Sequence, residues 1–317
     1  SAASDVYKRQ VKSEELFVIY GAIVPLLEAA GVRPVHPEVG ELVTSFEMAG
    51  VSLTLFWLDS ELEELWQAPA AAPAYRKGQA GPSAPRRAAA AATVMADVAV
   101  AGPGAVETGR VLEAMLATTA TTIDAAAAEL GRLDSVGGDG DHGIGMQRGA
   151  RAAAAAAASL AGRAGARTLL RDAGNAWAER AGGTSGALWG AMLRSAGDVL
   201  GDDEAPDPAR IAAAVHAAIE AVAERGGAQL GDKTMVDAIV PFSSRFAKGL
   251  TDGERAPTAL TRAAAAATRA AAATADLVPR LGRARTHAEK TLGTPDPGAH
   301  SFALIMTALA AEFGDPS

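Results

Sequence analysis

The sequence predicts a main domain made only of helices packed antiparallel, preceded by a small mixed α/β segment. Three observations carry this. From about residue 106 onward, apolar residues recur at helical spacing in eight stretches separated by short breaks. No stretch in that region alternates as a half-buried strand would. Much of the 49% apolar content is alanine, the strongest helix former, whose small side chain lets helix backbones approach closely.

In chain order, residues 1–10 ("SAASDVYKRQ") lack an initiator methionine and read as a non-native segment, resembling the translated read-through of a sequencing adapter. Residues 11–67 are mixed. Leu16, Ile19, Tyr20, Ile23, Leu26 and Leu27 fall at helical spacing, with Ser13 as N-cap and Gly31 as stop. "VSLTLFWLD", Val51 to Asp59, alternates and is rich in strand formers. One helix with one or two strands cannot close a core, so this segment is expected to be the end of a larger domain. Residues 68–105, rich in alanine, proline and glycine, read as a linker.

The expected helices of the main domain, residues 106–317, begin with Val106–Leu133 and continue at Gly145–Leu160, Arg167–Ala181 and Gly186–Leu200. They go on at Pro208–Glu224, Lys233–Lys248, Thr258–Ala275 and Gly298–Phe313. Asp207–Pro208 is a cap followed by a first-turn proline. A net charge of -8 argues against a general nucleic-acid binder but is compatible with a magnesium nucleotide, because the metal brings its own positive charge. Cysteine is absent, no signal peptide is evident, and the alanine runs are too short and weakly apolar to span a bilayer. A soluble, cytoplasmic protein is expected, with neither nucleic acid nor membrane as partner.

The chemistry collects in four glycine-marked breaks. The first places Asp134, Asp139 and Asp141 within eight residues, followed by His142, among Gly137, Gly138, Gly140 and Gly143. Carboxylates this close repel one another unless protons or a cation relieve them. Magnesium takes hard oxygen ligands and is commonly held by a few carboxylates together with substrate phosphates. The second break, "GGTSG", sets Thr184 and Ser185 at the start of a helix whose free backbone N–H groups suit a phosphate. It is not a Walker loop, since the spacing is short and no lysine follows. The third, "GGAQLGDKTM", contains Gly226, Gly227, Gly231, Asp232, Thr234 and Met235, and the fourth runs from a basic cluster around Arg283 to "DPGA" at the last helix. Singly, each break reads better as a capped or solvated turn. In an up-down helix order, however, all four connect an odd helix to an even one and must share a rim, as a magnesium-polyphosphate pocket requires.

"LDSVGGDGDHGIGMQRG", "GGTSGALWG", "GDKTMVDAIVP" and "GRARTHAEKTLGTPDPGAHS", in this order, resemble the signatures of the nucleotide-binding L domain of the dihydroxyacetone kinases. The resemblance covers residues 106–313, and "EVGELVTSFEMAGVSLTLFWLD" is similar to the end of the ketose-binding K domain. It implies an eight-helix antiparallel up-down barrel holding ATP or ADP with two Mg2+ ions. It implies Asp134, Asp139 and Asp141 as metal ligands, and His142, Gly143, Ile144 and Gly145 as the loop over the phosphates. Thr184 and Ser185 match a second phosphate contact, Gly226 and Met235 the nucleotide pocket, and Arg283, Asp296, Pro297 and Gly298 the remaining contacts. Gly145 stands where the family usually has asparagine, which removes a side-chain hydrogen bond.

The function this implies is ATP-dependent phosphorylation of dihydroxyacetone or a related small ketose such as a tetrulose. The family's substrate-binding histidine and acid–base residues lie in an earlier part of the K domain, so no catalytic residue is assigned here. The chain alone is expected to bind nucleotide without phosphorylating a ketose; members of the family it resembles are commonly dimeric through the K domain, and the sequence leaves the oligomeric state open. One alternative is an L subunit that keeps ADP bound as a phosphate relay for a phosphotransferase system. Another is a purely structural bundle in which every motif is a cap.

Overall fold

The protein is described by a computed structural model at residues 13–40, 51, 53–72, 75–78, 101–160, 162–281, 284–285 and 288–315. It divides into two compact units, Ser1–Ala96 and Asp97–Ser317.

In the first unit, α1 (Ser13–Ala29) carries Glu14 and Glu15 in its first turn, where the helix dipole favours acids. It ends at Gly31, whose φ of 76° is the left-handed conformation glycine takes freely. α2 (Ser60–Gln67) is capped by Asp59, which accepts from the Leu62 N–H at 2.9 Å. A short antiparallel hairpin follows, β1 (Ala70–Ala72) with β2 (Tyr75–Lys77), inside what the sequence marks as linker. The Trp66 indole N–H donates to the Val35 and His36 carbonyls at 3.2 and 3.1 Å, and the Lys77 ammonium lies 4.2 Å from its ring centroid. No described residue of this unit is buried, and Phe17, Phe56 and Trp57 stand 59%, 64% and 70% exposed. The expected strand at Val51–Asp59 does not form among its described residues. Alternation alone makes no strand; a hydrogen-bonded neighbour is needed, and none is described beside it.

The second unit is the predicted helical domain. Its long helices are α3 (Pro103–Asp134), α4 (His142–Ser159), α5 (Ala166–Ala181), α6 (Gly183–Leu200), α7 (Pro208–Gly226), α8 (Val236–Thr251), α9 (Ala256–Ala273) and, beyond the single turn α10 (Ala288–Thr291), α11 (Pro297–Phe313). Each long helix packs on the next, and α11 packs on α3, so the eight close into an up-down barrel. Proline in the first turn starts α3, α7, α9 and α11, where its missing N–H costs nothing. α8 starts three residues later than the spacing predicts, because Lys233 takes φ 60°, which no helix accommodates.

Alanine and glycine supply the close contacts. Ala259, Ala263, Ala267 and Ala271 line the inner side of α9, all at most 2% exposed. A Cβ on Gly174 of α5 would come within 2.7 Å of the Gly190 carbonyl of α6, so these backbones touch. Aromatic residues fill the interior. Trp177 and Trp189 stack at 4.8 Å, Trp189 reaches Phe302 at 6.1 Å, and Phe302 meets Phe242 edge-on at 5.5 Å. Such pairs add roughly 0.5–1.5 kcal/mol to their burial. Trp177 is fully buried between helices that cannot move inward, so its loss leaves a cavity. Trp177→Ala is expected to cost about 3–5 kcal/mol in guanidinium denaturation.

Candidate functional site

The up-down order sends alternate connections to opposite ends of the barrel. On one end the α4–α5 and α6–α7 connections meet, where Asp202 accepts from the Thr168 backbone N–H at 3.2 Å and its hydroxyl at 2.6 Å. The other end gathers the α3–α4, α5–α6, α7–α8 and α9–α11 connections around one cavity of about 380 Å³. That is within the usual size range of small-molecule sites.

The acidic loop is fixed by the approach of α4 to α3. A Cβ on Gly143 would lie 1.9 Å from the Ala127 carbonyl and 2.9 Å from the Gly131 nitrogen, so only glycine fits the crossing. The Gly138 N–H closes a turn on the Asp134 carbonyl at 2.6 Å, and the His142 N–H reaches the Asp134 carboxylate at 3.3 Å. The result is convergence: carboxylate oxygens of Asp134, Asp139 and Asp141 all lie within 4.8 Å of one another. Asp139 is buried, Asp134 half-buried and Asp141 exposed. The Asp141 carboxyl is held above its ordinary pKa, chiefly by partial burial and also by the Asp134 charge. An all-oxygen set crowded to this degree fits a hard divalent cation. His142 heads α4, its Nε2 3.0 Å from Ser301 Oγ, and burial holds its pKa down to about 4. It is therefore neutral at pH 7.

At the α5–α6 junction, Gly182 and Gly183 take φ 65° and 60° in succession, turning the chain sharply into α6. No side chain caps α6, and Thr184 and Ser185 sit in its first turn facing the cavity. Its leading N–H groups are thus open to an anion. At the α7–α8 connection Asp232 bonds the Gln229 N–H at 2.8 Å and so closes the preceding turn rather than capping the helix. The buried Asp237 accepts from the Gly231 and Thr234 N–H groups at 2.6 and 2.8 Å. Asp296 caps α11, accepting from the Ala299 N–H at 2.7 Å.

Of the site residues the resemblance implies, the cavity is lined by Asp134, Asp139, Asp141, His142, Gly145, Thr184, Ser185, Gly226, Met235, Asp296, Pro297 and Gly298. Gly143 lies buried in the α3–α4 crossing and Ile144 points away, 37% exposed; neither lines the cavity. Arg283 lies outside the described residues. Sequence reasoning missed Lys233, which lines the cavity at 5% exposure, donating to the Leu277 and Thr291 carbonyls at 3.1 and 2.7 Å. Its left-handed backbone carries strain of about 1 kcal/mol or more. The only sequence signal was a lysine inside a glycine-rich break; nothing there says that it turns inward.

A closed helix barrel with acids and open helix starts on a single rim is an architecture able to hold a metal and an anion together. Residues 136–311 match the DAK2 domain and residues 10–74 the Dak1 domain, and the chain belongs to the dihydroxyacetone kinase family. It is 50% identical over 306 residues to the L-erythrulose kinase of Pectobacterium atrosepticum, covering 95% of this chain and 51% of that protein. Identity to the L-erythrulose 1-kinase of Mycolicibacterium smegmatis is 52% over 302 residues, 94% of this chain and 52% of that one. The human triokinase/FMN cyclase is 32% identical, with 93% and 51% covered. The chain thus spans about half the length of these curated relatives. The crystal structure of the dihydroxyacetone kinase of C. freundii shares the fold at a TM-score of 0.50 and 24% identity, over 80% of this chain and 43% of that one. No described helix is long and apolar enough to cross a membrane.

Burial pushes the Asp296 carboxyl up to about 7, against the Ala299 N–H that favours its charge and with the nearby Asp237 adding to the rise. A carboxyl raised in the folded state binds its proton more tightly there than in the unfolded chain. Its contribution to stability is present below about pH 4 and is lost as the pH rises through about 7. Asn keeps the cap but does not titrate. Without divalent cation, thermal melts should shift in favour of Asp296→Asn as the pH rises from 4 to 7, and level off above.

Proposed function

We propose that the chain is the ATP-binding part of a kinase that transfers phosphate to a small ketose. One observation carries the reading: three convergent carboxylates and an uncapped helix start share one cavity on one barrel rim. In this reading Asp134, Asp139 and Asp141 hold Mg2+. Bound there, magnesium would neutralise the phosphates of ATP and polarise the one transferred. The first N–H groups of α6, with Thr184 and Ser185, donate to phosphate oxygens. Gly226 and Met235 border the base, and Asp296, Pro297 and Gly298 line the cavity beside His142. Neutral His142 holds the start of α4 through Ser301 and adds no charge to the phosphate side.

The ketose is assigned to the remainder of a longer protein, of which residues 10–74 match one domain. Relatives near half identity are named erythrulose kinases, so a four-carbon ketulose is the first substrate to test and dihydroxyacetone the second. The match to both domains on one chain favours an ATP-dependent kinase over a subunit that retains ADP as a phosphate relay. A kinase exchanges bound ADP readily.

Titration calorimetry tests the reading on the chain itself. Mg-ATP is expected to bind, and binding should vanish when EDTA replaces magnesium. Asp139→Ala should weaken it at least a hundredfold, about 2.7 kcal/mol, since the lost ligand charge outweighs any relieved repulsion. An unchanged affinity in that variant would contradict the proposal.

A further inference from the structure

The cavity wall between α9 and α11 has an unusual support. Among the described residues of 277–291, Leu281, Ala284 and Thr291 line the cavity. Lys233, from the α7–α8 connection, donates one N–H to the carbonyl that begins this segment, Leu277, and another to the one that ends it, Thr291. Among the described residues it is the only lysine or arginine lining the cavity, against four aspartates. It is also 5% exposed, with two of its three hydrogens committed to backbone, and its charge acts on Asp296 and Asp276.

We propose that Lys233 is a positioning residue for the nucleotide site: one ammonium holds the Leu277 and Thr291 carbonyls and thereby sets where the described wall residues Ala284 and Thr291 stand against the acidic loop. The coupling to the acids is direct. Gly137 of the acidic loop packs on this segment so tightly that a Cβ there would come 2.4 Å from Thr291 Cγ2 and 3.3 Å from Ala284 Cβ. A wall that drifts takes the acidic loop with it or opens a gap beside it. The base of the segment is closed separately, by the Gly293 N–H on the Ala275 carbonyl at 3.0 Å and the Asp296 N–H on Thr274 Oγ1 at 2.8 Å. Loss of the ammonium should therefore loosen the wall without opening the barrel.

The inference rests on the kinase reading only for what the wall contacts, and the test separates the two. Lys233→Met keeps the stem and removes the charge, Lys233→Gly also relieves the left-handed backbone, and Lys233→Arg keeps a cation. The 317-residue chain is measured by calorimetry with Mg-ADP and by hydrogen exchange of peptides spanning 277–291. Lys233→Met is expected to bind Mg-ADP about tenfold or more weakly and to exchange faster in 277–291, with helices α5 and α6 unchanged. Lys233→Arg should recover most of both losses. If Lys233→Met does not fold, Lys233→Gly carries the same expectations. Wild-type exchange and affinity in Lys233→Met or Lys233→Gly would overturn the proposal, as would Lys233→Arg behaving no better than Lys233→Met. If the wild-type chain itself fails to bind Mg-ADP, the kinase reading falls, and exchange in 277–291 alone decides the role of Lys233.

Discussion

The contact of α4 with α3 at Gly143 is the constraint on which the rest depends. With the notional Cβ only 1.9 Å from a backbone carbonyl, the two helices meet at their main chains, and the connection between them has no freedom to spread. Asp134 at the end of α3, and Asp139 and Asp141 before α4, are consequently held together rather than dispersed into solvent. Their repulsion is built into the helix crossing. It adds, after desolvation, to the raised pKa of Asp141. In the proposed function, a divalent cation bound there would turn this unfavourable arrangement into a favourable one.

The barrel makes the same economy elsewhere. Because alanine and glycine let α5 and α6 touch, a single residue, Gly182, suffices to connect them. The short turn leaves the first N–H groups of α6 uncapped beside the acids. Tight packing thus produces both halves of the proposed site, the crowded anions and the open donors. The aromatic interior, centred on the stacked Trp177 and Trp189, holds the walls apart so that the rim does not collapse into the core.

Much of this was legible in the sequence. Periodicity located eight helices, and counting their connections placed four glycine-rich breaks at one end, where the structure has them. The legible features are those set by local pattern. What escaped depends on contacts between distant segments. Lys233 reads in the sequence as the start of a helix, because its partners, the carbonyls of Leu277 and Thr291, lie 44 and 58 residues away. The later start of α8 follows from the same residue's backbone. Ile144 and Gly143 belong to a quoted motif, but on a helix start only some consecutive residues can face one cavity, and here Gly145 does. Val51–Asp59 has the alternation of a strand without a partner among the described residues.

The central claim is that the three carboxylates join a metal ion to a nucleotide. Anomalous diffraction from crystals soaked with manganese and ADP tests this most directly. The account predicts a manganese peak within roughly 2.0–2.4 Å of carboxylate oxygens from Asp134, Asp139 or Asp141 and of a phosphate oxygen. Bound nucleotide with no ion between it and these aspartates would contradict it.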